Sequence, residues 1–152
     1  MKLSAQEEYG LRFLVLLGEK YNYGKGLTIP EISRVEGIPE HSVAKILRVL
    51  RINGLLESAR GQTGGYTLTV SPDEIRLSEI LNILGGRLYD GQYCDSFIAK
   101  NGKCSRAVEC NVKSVWEIIQ SAVDNVVNKI TLSDIMQGSF HLPEVSVGNQ
   151  YR

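Results

Sequence analysis

The chain has 152 residues, 43% of them apolar, enough to bury one core without disulfide or metal staples. Its 17 basic and 17 acidic residues cancel, which excludes a generally basic nucleic-acid binder, so any DNA contact must come from local charge. The first ten residues lack the basic-then-apolar run of a signal peptide, and no apolar stretch nears the roughly eighteen residues of a membrane span. A cytoplasmic protein with no membrane partner is expected.

Ser4 followed by Glu7 has capping-box spacing, and Leu11, Leu14, Val15 and Gly18 follow at helical intervals, so a first helix is predicted over 4–19. The polar, glycine-bearing stretch 21–26 ends it. Thr28, Pro30 and Glu31 open a short second helix, because proline is tolerated in a first turn, and Gly37 stops it. Val43, Ile46, Leu47 and Leu50 repeat at i, i+3, i+4 and i+7, giving a third helix that begins near Pro39 and ends at Asn53-Gly54. Two short helices separated by Gly37-Ile38-Pro39 have the outline of a helix-turn-helix, whose second member can enter a major groove.

Residues 55–58 and 66–70 read as strands on either side of the glycine-rich loop 59–65, which makes the loop a wing. A fourth short helix is predicted over 78–84. Gly85-Gly86 then opens a long polar loop, and structureless loops of that length in compact domains are usually functional or disordered. Val112, Trp116, Ile119, Val123, Val126 and Ile130 alternate steps of four and three, a heptad seam that wants a partner, most naturally its own copy. The fold class predicted is mainly α, a winged helix-turn-helix domain with a small two-stranded wing plus a long C-terminal dimerisation helix. Its divisions are a DNA-binding domain over 1–84, a cysteine-bearing loop over 85–110, the dimerisation helix over 111–138 and a flexible tail over 139–152.

His41, Lys45 and Arg48 lie within about sixty degrees of one another on a helix of 3.6 residues per turn, opposite the apolar stripe. Together with Ser42 they form the expected reading face. Arg60, Gln62 and Thr63 are the wing candidates. Three polar residues on a helix are more commonly just a solvated face; a wing arginine among glycines, which allow close approach to a duplex, shifts the weight to DNA.

All three cysteines, Cys94, Cys104 and Cys110, fall within one loop. An odd, clustered number in a reducing compartment argues for metal binding or redox sensing rather than a disulfide framework. Structural zinc usually shows a short Cys-x-x-Cys pair, which is absent here, and a thiol–disulfide switch leaves one cysteine over. Soft thiolates from one loop fit an iron–sulfur cluster best, with room for a different fourth ligand.

Met1-Lys2-Leu3-Ser4, Gly37-Ile38, Asn53-Gly54-Leu55, the wing Arg60-Gly61-Gln62-Thr63-Gly64-Gly65-Tyr66, the cysteine loop and Ile130-Thr131-Leu132 occur in an order and spacing that resembles the IscR/NsrR/RsrR-type family of iron–sulfur winged-helix transcriptional regulators. The resemblance runs from residue 1 to about 136. It implies a homodimer on double-stranded promoter DNA, a recognition helix over 40–53, and a cluster held by Cys94, Cys104 and Cys110. The chain departs from members with a histidine just after the third cysteine, because Lys113 stands there. The resemblance then points to Glu8, donated by the partner subunit, with Glu7, Asp90, Asp95 and Glu109 as substitutes; the residue-level alternative is a first-turn glutamate paired with Arg12. The nine residues between Cys94 and Cys104, where five are usual in many members, bear on cluster type. A two-iron two-sulfur cluster is favoured over a four-iron four-sulfur one.

The function expected is a dimeric regulator that senses redox, nitric oxide or iron–sulfur status. The alternative is a cluster-free regulator responding to thiol oxidation, a small effector or a protein partner. No nucleophile–base arrangement or phosphate loop is visible, and Gly61, Gly64 and Gly65 fit a wing rather than a dinucleotide fingerprint, so the chain is not expected to be an enzyme.

Overall fold

A computed structural model of the protein describes residues 3–61, 64–87, 89, 104 and 110–140. Helix α1 spans Ala5–Tyr21 and is opened by the capping box expected from its sequence. The Ser4 hydroxyl accepts the Glu7 N–H at 3.2 Å, and the Glu7 carboxylate accepts the Ser4 N–H at 2.7 Å. Helix α2, Ile29–Glu36, starts with the same device on Thr28 and Glu31 and ends at Gly37 in the left-handed conformation, φ +69°. Helix α3, Glu40–Ile52, begins behind Pro39 with no side-chain cap.

Strands β1, Leu56–Ala59, and β2, Gly65–Leu68, pair antiparallel from Leu56 opposite Leu68 to Ala59 opposite Gly65. The wing is anchored by a third segment. Leu27, between α1 and α2, exchanges both backbone hydrogen bonds with Tyr66, at 2.8 and 3.1 Å. That backbone passes so close to Gly65, φ +130°, that a Cβ there would lie 2.7 Å from a Leu27 main-chain atom, and only glycine fits.

Phe13, Leu14 and Leu17 of α1, Ile32 of α2, Val43, Leu47 and Leu50 of α3, and Leu56 and Leu68 of the wing are buried in one core. Each large apolar side chain so buried contributes about 1.5–3 kcal/mol relative to exposure. Helix α4, Leu77–Leu84, adds buried Ile80 and Leu84 and packs on both α1 and α3.

Between 111 and 138 the structure has two helices where one was expected: α5, Asn111–Val127, and α6, Leu132–Gln137. Thr131 and Asp134 form a third capping box that restarts the helix, and this local chemistry overrides the continuity suggested by the heptad. The turn between them is stitched to α4, with the Leu77 N–H donating to Ile130 O at 2.9 Å and the Leu132 N–H to Ile75 O at 2.8 Å. Leu132 is fully buried, and α6 returns to α1, where Met136 lies against Gly18. The architecture is mainly helical, a winged helix-turn-helix with a two-stranded wing and a long helix beyond it. Among the described residues, no helix is long and apolar enough to cross a membrane.

Candidate functional site

Helix α3 buries Val43, Ile46, Leu47 and Leu50, and therefore turns His41, Lys45 and Arg48 outward, all exposed, with Ser42 half-buried. Arg51, one turn beyond Arg48, is also exposed and extends the basic stripe. The reading face expected from the sequence omits Arg51, which projection onto the helix places beside Arg48. Because no side chain caps α3, its first amides remain available to an anion such as a phosphate.

Arg60 follows β1 directly and is exposed, and Gly61 next to it has φ +108°. Gln62 and Thr63 lie outside the described residues. Strand β1 packs on α3, so the wing root and the reading helix are neighbours. None of Lys45, Arg48, Arg51 and Arg60 forms an ion pair among the described residues. These cations can be spent on an external polyanion.

The cysteine site is described in part. Cys104 and Cys110 are free and half-buried, while Cys94 lies outside the described residues, as do the substitutes Asp90, Asp95 and Glu109. Cys110 is the N-cap of α5, and its sulfur accepts the Lys113 N–H at 3.3 Å. Among the described residues no three metal-ligating side chains converge. Lys113 itself pairs loosely with Glu117 at 3.7 Å on the exposed face of α5.

Glu8 lies exposed on the first turn of α1. It does not pair with Arg12, whose guanidinium is 2.7 Å from Glu36 on α2. Glu7 is engaged in the cap and lies against Gly85, which leaves it the poorer ligand candidate. Two free thiols, and the Glu8 carboxylate that forms no ion pair among the described residues, are donors of the types that fit an iron–sulfur centre.

The first half of α5 presents Val112, Val115, Trp116, Ile118 and Ile119 to solvent, 37 to 64% exposed. Val115 and Ile118 are outside the heptad seam, while Val123 and Val126 within it are half-buried. The open apolar face therefore holds Val112, Trp116 and Ile119 of the expected seam and is widened by Val115 and Ile118.

A family model described as Rrf2, iron-dependent transcriptional regulator, matches residues 3–138. The chain is 28% identical to the HTH-type transcriptional regulator CymR of Bacillus subtilis over 135 residues, covering 89% of each chain. The structure of CymR, the global cysteine regulator of B. subtilis, matches with a TM-score of 0.71 at 26% identity, covering 92% of this chain and 99% of that one. The structure of IscR from T. potens matches with a TM-score of 0.69 at 26% identity, covering 92% and 89%.

Proposed function

Because the chain belongs to the Rrf2 family of transcriptional regulators, we propose that it is a cytoplasmic homodimeric DNA-binding regulator whose affinity for promoter DNA answers to an iron–sulfur centre. Its reading surface is α3 with His41, Ser42, Lys45, Arg48 and Arg51, and the wing with Arg60, Gln62 and Thr63. Residues 1–84 carry that surface, 85–110 the cysteines, 111–138 the contact with the second copy, and 139–152 a tail. Cys94, Cys104 and Cys110, with Glu8 of the partner subunit, are the proposed ligands of a two-iron two-sulfur cluster, which when bound supplies a centre that responds to oxidants and nitric oxide.

The observation that carries this reading is the position of Cys110 at the N-cap of α5, the same helix that leaves five large apolar side chains uncovered. What Cys110 holds is thereby linked to the first turn of the helix proposed to meet the second copy. A carboxylate binds iron less firmly than a thiolate, so Glu8 keeps the fourth position easily retuned. Regulation requires the two states to differ in DNA affinity.

Anaerobic purification, followed by a visible spectrum and iron and sulfide counts, tests the centre. Titration of one promoter fragment with oxidised, reduced and metal-free protein tests the coupling. Cluster absorbance and unequal affinities are expected; equal binding by all three forms overturns the sensor. Absence of iron favours the cluster-free regulator.

A further inference from the structure

Gln120 is 4% exposed and is the fully buried polar side chain of α5, directly after nine exposed residues. Its amide is used from both ends. The oxygen accepts the Tyr89 backbone N–H at 2.7 Å, and the nitrogen donates to Asp124 at 2.7 Å. The other oxygen of Asp124 takes the Arg87 guanidinium in an ion pair. The chain is thus pinned to α5 at residues 87 and 89, just where it leaves α4 for the cysteine-bearing segment.

The opposite end of α4 is held by the foot of the same helix. The Arg76 guanidinium donates to Asn128 O at 2.8 Å, and the Leu77 N–H to Ile130 O at 2.9 Å. Between these two ties, Ile80 and Leu84 are buried in the common core, and α4 packs on the recognition helix α3 as well as on α1. A packed, doubly strapped helix passes a displacement on rather than absorbing it.

We propose that Gln120 and Asp124 are positioning residues that clasp the root of the cysteine segment to α5, so that the state of the cysteines reaches α3 through α4. This rests on the sensor reading above. The position needs a group that accepts and donates at once, to satisfy a backbone N–H and a carboxylate together, and the glutamine amide does so with its two separate atoms. Leucine at 120 approximately keeps the volume but removes the acceptor of the Tyr89 N–H and the donor to one Asp124 oxygen, whose other oxygen stays with Arg87.

The test compares wild type with Gln120→Leu and with Asp124→Asn, which retains the volume and removes the carboxylate bound to Arg87. Two readouts are taken on the full chain: the ratio of promoter affinities between cluster-loaded and metal-free protein, and hydrogen exchange at the Tyr89 amide. Gln120→Leu is expected to bring the affinity ratio to within about twofold of unity and to speed Tyr89 exchange about tenfold, since the amide loses its buried acceptor. Asp124→Asn is expected to give an intermediate ratio and decides the question if Gln120→Leu does not fold. A wild-type ratio with either folded variant, or Tyr89 exchange unchanged in Gln120→Leu, overturns the clasp. If wild type itself shows no ratio, the sensor reading fails, and Tyr89 exchange alone decides whether the clasp exists.

Discussion

Arg12 pairs with Glu36 at 2.7 Å across α1 and α2, and so leaves Glu8, one turn earlier on α1, without an ion-pair partner among the described residues. The Glu36 side chain is only 11% exposed, so the guanidinium gains more from that less screened carboxylate than from Glu8 in solvent. Glu8→Ala should therefore change stability by less than about 0.5 kcal/mol, while altering the visible spectrum or iron content of anaerobically purified protein. An unaltered spectrum and iron count would remove Glu8 from the ligand set. Arg12→Ala, by contrast, strands Glu36 and should lower stability by about 1 kcal/mol, a figure kept small because Arg12 is half exposed.

Arg60 is exposed, and its removal should leave the melting temperature unchanged. Losing one wing arginine should weaken promoter binding about five- to tenfold and reduce the salt slope by about one. Arg51→Ala should act in the same direction from the end of α3. Salt-dependent anisotropy titrations measure both; a variant whose slope and affinity match wild type does not touch DNA through that residue.

Gly65→Ala tests whether the wing is held by Leu27. A methyl group there meets main chain rather than a yielding side chain, at φ +130° where alanine is already strained. A loss of about 1–3 kcal/mol in denaturant unfolding is expected, with DNA binding weakened further as the wing detaches. Retained stability would mean that the Leu27–Tyr66 bridge contributes little.

The legible parts of this chain were those whose physics is local. Ser4 with Glu7, Thr28 with Glu31, and Gly37 announce helix ends within four residues of sequence, and the structure places caps at each. The Thr131–Asp134 box has the same form, yet the heptad running through Ile130 masked it. Periodicity also cannot tell which neighbour covers an apolar face. Val123 turned partly inward while Val115 and Ile118, outside the seam, stayed exposed, because α4 claims one side of α5. The freedom of Glu8 and the clasp at Gln120 both depend on contacts between residues tens of positions apart, which spacing does not encode.

Glu31 links the second capping box to pH. Its carboxyl lies below the usual glutamate range, first because it accepts the Thr28 backbone N–H and next because it accepts the Thr28 hydroxyl. A depressed folded value stabilises the protein above the unfolded glutamate pKa of about 4.3, and that contribution is lost as pH falls through the folded value. Glu31→Gln should therefore be less stable than wild type near neutrality, with the difference vanishing in acid. Denaturant unfolding of both proteins along a pH series checks this; a difference that persists below the folded value would assign the effect to lost shape rather than charge.

Five large apolar side chains exposed within eight consecutive residues of α5 exceed the scattered exposure that ordinary surfaces tolerate. If a second copy covers them, Ile118→Lys places a charge in the contact and should shift sedimentation equilibrium from dimer toward monomer, and the melting temperature should then cease to depend on protein concentration. Val35→Lys, on the 61% exposed Val35 of α2, serves as the control and should leave the mass unchanged. Ile118 is the discriminating position because it lies outside the heptad. An interface confined to Val112, Trp116 and Ile119 tolerates lysine there, whereas the broader face left open by α4 does not. Dimer retained with Ile118→Lys but lost with Trp116→Lys would confine the contact to the heptad seam.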